Sequence, residues 1–167
     1  MPAIDTCPLP ANALLERYAR DGAYTDCYAT EVAGTIDCTR YVEAFYTTPL
    51  FKTERLILKL AVSAPSTDAQ ARQVASGDLD RFAAWRVEAR APDQLLMCDM
   101  FGSTRSWFMV VPATGSSSAR TRLYFGSAVT KTAMNRRMFR WLTGFHVLYS
   151  KALLRSARRR IGSGRLS

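Results

Sequence analysis

From Leu79 onward the hydrophobic spacing of this 167-residue chain changes from a period near 3.6 to a period of 2. No other feature constrains the fold as strongly. Phe82–Arg90 alternates Ala83, Trp85, Val87 and Ala89 against Phe82, Ala84, Arg86 and Glu88. A turn at Ala91-Pro92-Asp93 leads into Gln94–Phe101. Gly102-Ser103 then turns into Thr104–Pro112, which carries Trp107, Met109 and Val111 on one face, and the loop 113–119 leads into Thr121–Val129. A parallel crossover needs about a dozen residues, and these connections are too short for one, so the four strands form an antiparallel meander.

The meander runs into a long amphipathic helix, Met134–Ile161. Met134, Met138, Trp141, Phe145, Leu148 and Tyr149 recur at spacings of three and four, with Leu142 and Leu153 widening the stripe. At 1.5 Å per residue the helix is about 40 Å long. A helix of that length needs a broad apolar surface to cover it, and the meander supplies one. Trp85, Trp107, Met109, Phe125, Met138, Trp141, Phe145 and Tyr149 are therefore expected between sheet and helix, lining a cavity if one exists.

Upstream, residues 10–20 suit a short helix stopped at Asp21-Gly22, and 23–33 a strand ended by Gly34. Asp37–Tyr46 returns to helical spacing. Thr47-Thr48-Pro49 restarts a helix whose buried face is Leu50, Phe51, Leu56, Ile57 and Leu60, since threonine caps free amides and proline tolerates the first helical position. A further helical stretch, Asp68–Ala75, follows the Ser66-Thr67 cap and closes at Gly77. The sum is one α+β domain over residues 1–161 with five strands, and a frayed tail at 162–167.

This order of elements, with Thr121–Val129 entering a long C-terminal helix, resembles the SRPBCC superfamily, the START-like helix-grip proteins. The resemblance covers roughly residues 23–160 and rests on element order rather than on a motif; Trp107 and the stretch Phe145-His146-x-x-Tyr149 look most like uncharacterised bacterial members. It implies a curved antiparallel sheet wrapped around the C-terminal helix, with an apolar cavity that often holds a lipid, sterol or aromatic molecule. The superfamily usually has six or seven strands.

Composition narrows the function. With 48% apolar and 22% charged residues the body is globular. No apolar run is long enough to span a bilayer and no signal peptide is visible, so a cytoplasmic location is expected. Cys7, Cys27, Cys38 and Cys98 are spaced 20, 11 and 60 apart, with no compact metal spacing, and are expected as isolated thiols, with a structural disulfide or a reactive thiol as the alternative. His146 is the only histidine, which excludes paired-histidine metal ligation, and no G-x-S-x-G marks a nucleophile. No cofactor motif stands out. Charges inside the strands (Arg86, Glu88, Asp99, Arg105, Arg122) belong on the solvated face or in cross-strand pairs. Asp99, Arg122 and His146 are the candidate polar anchors for a ligand, and Asp26, Tyr28, Asp99 and His146 the candidate acid–base groups should the cavity be catalytic.

Charge is strongly asymmetric. Residues 100–167 carry thirteen Lys/Arg and no Asp or Glu, whereas the first 99 carry ten basic and fourteen acidic residues. Arg155, Arg158, Arg159 and Arg160 complement the dipole at the end of the last helix and form a basic surface. Such a surface suits peripheral contact with an anionic membrane, at the inner face of the cell membrane, at about 1 kcal/mol per basic group. Nucleic acid has weaker support, because interleaved aromatics and recognition motifs are missing. The leading expectation is a protein that binds a small hydrophobic ligand between sheet and helix. An enzyme of cyclase, dehydratase or hydrolase type in the same cavity, or an interaction protein acting through its basic helix, are the alternatives.

Overall fold

A computed structural model describes residues 3–53, 66–113, 118–130 and 137–163, with side chains in the last segment described from Val147 onward. The architecture is α+β and helix-grip-like: a seven-stranded antiparallel sheet with the C-terminal helix packed on one face. The strands are β1 (Asp5–Thr6), β2 (Tyr24–Ala33), β3 (Arg81–Phe82), β4 (Trp85–Ala91), β5 (Gln94–Asp99), β6 (Thr104–Pro112) and β7 (Arg120–Val129). The helices are α1 (Glu16–Arg20), α2 (Cys38–Tyr46), α3 (Asp68–Ser76) and α4 (Arg137–Gly162). The order across the sheet is β1-β2-β7-β6-β5-β4-β3, so the first long strand closes onto the last and the meander lies beside them.

Seven strands replace the expected five. The two additions are two-residue pairs, β1 and β3, too short to leave a periodic signal. β3 is split from β4 because Ala83 turns the chain with φ +53, a left-handed conformation that sequence alternation does not reveal. Phe82 and Trp85 consequently face each other across a tight turn instead of lying on opposite sides of one strand.

Helix boundaries follow local chemistry. The Asp37 carboxylate accepts the Arg40 N–H at 2.7 Å and starts α2. At α3 the Thr67 hydroxyl accepts from the Gln70 N–H while the Gln70 side chain accepts from the Thr67 N–H, a reciprocal capping box, and Gly77 at φ +97 ends the helix. Each such cap contributes about 1 kcal/mol. The restart at Pro49 is helical through residue 53; Leu56, Ile57 and Leu60 lie outside the described residues.

The inner face of the sheet is filled from α2. Phe45 lies 4.8 Å from Phe108 edge to face and 4.9 Å from Phe125 in a stack, and Tyr46 joins Phe51 and Phe82 at 4.8 and 4.9 Å. Such ring pairs add about 0.5–1.5 kcal/mol each beyond burial. Leu153, Leu154, Ala157 and Ile161 of α4 close the same core. Leu148, assigned to the apolar stripe by spacing, is instead 72% exposed. On a wheel of 100° per residue it sits well away from the row through Ser150, Leu154, Ala157 and Ile161 that the sheet buries.

The outer face has its own, smaller core. Residues 7–18 strap across it, and Ala13 and Leu15 pack on Cys27, Leu96, Trp107, Met109 and Ala128. Gln94, itself buried, accepts both the Trp107 indole N–H at 2.8 Å and the Leu14 N–H at 2.9 Å, and donates to the Asn12 carbonyl at 3.0 Å. One side-chain amide thereby holds the strap to the sheet.

Candidate functional site

Of the residues expected between sheet and helix, Trp85, Phe125 and Tyr149 belong to the helix-side core. Trp107 and Met109 do not: they point to the outer face, under the N-terminal strap. Alternation places Trp107, Met109 and Val111 on one face correctly, but both faces of β6 are covered. A period of 2 carries no label saying which face meets the helix. The side chains of Met138, Trp141, Phe145 and His146 lie outside the described residues. Where side chains are described, the middle of the helix–sheet interface is occupied by the rings of α2.

Open space lies instead at the edge. β1 pairs with β2 only at Ala29 and Tyr28. Beyond that short pairing, a cleft of about 540 Å³ follows β2 from Tyr24 to Tyr28. Its walls come from the strap at Cys7 and Leu9, from both faces of β2, and from Val147 of α4. Among the described residues Asp26 is the charged group in its lining. The Asp26 carboxylate accepts the Ser127 hydroxyl at 2.6 Å and the Ser127 N–H at 3.0 Å from the neighbouring strand, and the Tyr28 hydroxyl stands 3.4 Å from its second oxygen. Burial first, and the Asp26 charge second, push the Tyr28 hydroxyl well above its ordinary value, so it remains a hydrogen-bond donor. Lys151 sits over the Tyr28 ring at 5.3 Å and Arg158 donates to the Thr30 hydroxyl at 3.3 Å, so α4 tracks the inner side of β2. Asp26 and Tyr28, named from sequence as acid–base candidates, are thus brought together. Ser127, Val147 and Lys151 were not legible, because their relation to β2 depends on packing between segments a hundred or more residues apart, and Leu9 was not because it follows a strand pairing of two residues.

The four thiols are not all isolated. Continuing the β1–β2 register past Thr6↔Tyr28 sets Cys7 opposite Cys27; the Cys7 N–H donates to the Cys27 carbonyl at 3.0 Å, and the two sulfurs share a hydrogen bond at 3.4 Å. That hydrogen bond, assisted by the Arg122 charge and opposed by partial burial and by Asp5, lowers the Cys7 thiol from 9.0 to about 7. Its partner moves the other way: the shared hydrogen bond and burial hold Cys27 protonated. Burial also raises Cys38, to about 12.

The polar anchors separate. Asp99 closes the β5–β6 turn, accepting the Ser103 N–H at 2.7 Å and the Thr104 hydroxyl at 3.1 Å, and lies apart from the cleft. Arg122 lies on the outer face beside Tyr124, its guanidinium 5.5 Å from the ring, and its buried Nε has no hydrogen-bond partner among the described residues. The basic surface is likewise divided. Arg155 and Arg159, four apart and so on one side of the helix, are exposed, whereas Arg158 reaches β2 and Arg160 is half-buried, each turned toward a flank of the packed side.

Of the strand charges, Glu88 and Arg105 pair at 2.8 Å under Tyr18, at 13% and 11% exposure. A bulge at Glu88 produces this pair. Val87 stands opposite Met97 and Ala89 opposite Leu96, so Glu88 and Ala89 both turn outward. Strict alternation puts the two on opposite faces.

The sequence matches no protein-family profile and no curated protein. Among solved structures, a conserved protein of unknown function from Enterococcus faecalis aligns over 91% of this chain and 85% of its own, at 9% identity and a TM-score of 0.43. Likeness at that level carries no inference about function. Among the described residues no group of three or more His, Cys, Asp or Glu is placed to hold a metal ion, and no helix is long and apolar enough to cross a membrane.

Proposed function

We propose that the protein binds a small, mostly apolar molecule in the cleft bounded by the N-terminal strap, the Tyr24–Tyr28 stretch of β2, and Val147 of α4. The observation that carries this reading is the cleft itself. Its volume, about 540 Å³, lies within the range of ligand sites, and its lining joins apolar groups to one carboxylate and a protonated phenol. Apolar walls would supply affinity by surface burial, while Asp26 and Tyr28 would orient a hydroxyl or amine on the ligand. The helix-grip resemblance supports the same class of ligand, though this position is the edge of the grip and not its packed centre.

Native mass spectrometry of the full chain after incubation with a lipid extract, with a denatured sample alongside, tests the proposal. A fluorescent apolar dye, anilinonaphthalene sulfonate, gives a second readout. The expected result is a saturable adduct, lost on denaturation and lost in a Val147→Trp variant that fills the cleft. A bare polypeptide mass with no saturable dye binding, or an adduct indifferent to Val147→Trp, would overturn it.

A further inference from the structure

We propose that Cys7 and Cys27 form a peroxide-oxidisable dithiol, with Cys7 the attacking sulfur and Cys27 the resolving one. Geometry carries the assignment. Residues facing each other across antiparallel strands have α-carbons about 4.5–5.5 Å apart, inside the span that a disulfide bridges. Here the sulfurs already touch, at 3.4 Å. Both cysteines border the cleft, but Cys7 is half-buried while Cys27 is 2% exposed, so an incoming oxidant meets Cys7 first. Cys38 and Cys98 are buried elsewhere; Cys38 packs with the helix-side core and the Cys98 sulfur contacts the Asp99 carbonyl.

The electrostatics point the same way. Arg122 stands in register with Glu31, but Glu31 is engaged by Arg120 at 3.1 Å. Arg122 forms no ion pair among the described residues, and its charge acts on Cys7 against partial burial and the Asp5 charge. A thiolate favoured by a neighbouring cation and a thiol donor is the reactive form of cysteine.

The oxidant is a hydroperoxide. The Cys7 thiolate attacks the terminal oxygen, the O–O bond breaks, and the released alkoxide or hydroxide takes up a proton, leaving Cys7 as a sulfenic acid. Cys27 then attacks the sulfenic sulfur. The S–S bond forms, the S–OH bond breaks, and the Cys27 proton leaves with the hydroxide as water. Two thiols and one hydroperoxide become one disulfide, one alcohol or water, and one further water, the sulfurs losing two electrons to the peroxide oxygen. The bridge ties the strap to β2 at the mouth of the cleft.

The test treats the folded, reduced chain at pH 7 with hydrogen peroxide, blocks remaining thiols, and maps the peptides. The expected product has lost two hydrogens and links residues 7 and 27. Cys7 should be consumed at least about a hundredfold faster than Cys38, the gain in thiolate exceeding its lower intrinsic nucleophilicity. Cys27→Ser should stop at a sulfenic acid on Cys7, captured by dimedone, while Cys38→Ser and Cys98→Ser should leave the bridge intact. Oxidation of Cys38 or Cys98 before Cys7, equal oxidation of all four, or no 7–27 bridge under conditions that oxidise free cysteine completely would each overturn the proposal. The wild-type map alone decides this even where a cysteine variant fails to fold, and thiol chemistry is read whether or not the cleft takes a ligand.

Discussion

Gly126 leaves the space in which the Trp107 ring lies: a β-carbon on Gly126 would stand 2.9 Å from Cε3 of that ring and 2.8 Å from the Asp26 carbonyl. The indole then fills the outer core under Leu15, its N–H held by Gln94. Gly126→Ala forces either strand β2 or the indole to move. Overpacking of this kind costs about 1–3 kcal/mol. Urea denaturation should show a lower midpoint at unchanged slope; a midpoint equal to wild type would mean the outer core is loosely packed.

Trp107→Ala should act on stability and not on the cleft, because the ring lies under the strap. A loss of about 3–5 kcal/mol is expected, with dye binding per folded molecule unchanged. Dye binding lost at full stability would return Trp107 to the ligand site.

Gln94→Leu removes the acceptor of two N–H groups at once. Leaving the Trp107 indole and the Leu14 amide unpaired should cost about 2–6 kcal/mol, at roughly 1–3 for each group. The strap should be released first, so limited proteolysis ought to cut within residues 7–18 before the sheet is attacked. Cleavage at wild-type rates would show that packing alone holds the strap.

Glu88 accepts from Arg105 at 2.8 Å and from the Tyr18 hydroxyl at 2.5 Å, and pairs with Arg17 as well; Arg105 also donates to the Gly102 carbonyl at 2.7 Å. Glu88→Gln should destabilise by about 1–3 kcal/mol, since Arg105 keeps part of its hydrogen bonding. Glu88→Gln combined with Arg105→Met should cost less than the two single changes added together. Additivity in the double-mutant cycle would mean the pair is not coupled.

The pH dependence of Cys7 has a definite sign. Its folded value, about 7, lies below the ordinary 9.0, so its contribution to stability is complete above 9 and lost as pH falls through 7. Stability should therefore rise from Cys7 between pH 7 and 9, whereas Cys27, Cys38 and Tyr28, all raised, oppose it above that window. The groups around Cys7 are Asp5 on β1 two residues before it, Cys27 on β2 and Arg122 on β7. Alkylation of Cys7 by iodoacetamide should show a midpoint near 7 that moves upward in Arg122→Gln. A midpoint near 9 in wild type would remove the basis for a preformed thiolate.

What the sequence determined by itself was everything carried by local chemistry. The helix ending at Tyr46, the cap at Thr67, the stop at Gly77, the strand Thr104–Pro112 and the sharing of one face by Trp107 and Met109 all follow from neighbouring residues. Tertiary structure decided which of two covered faces meets the helix, because alternation is symmetric between them. The tertiary pairing also decided where α4 buries itself, leaving Leu148 in solvent, and where one bulge turns Glu88 and Ala89 to the same side. Above all, it set Cys7 against Cys27 and Ser127 against the Asp26 carboxylate that lines the cleft beside Tyr28. Those contacts depend on the register of strands far apart in the chain, and register is settled by the burial of whole faces, a collective quantity that no local pattern contains.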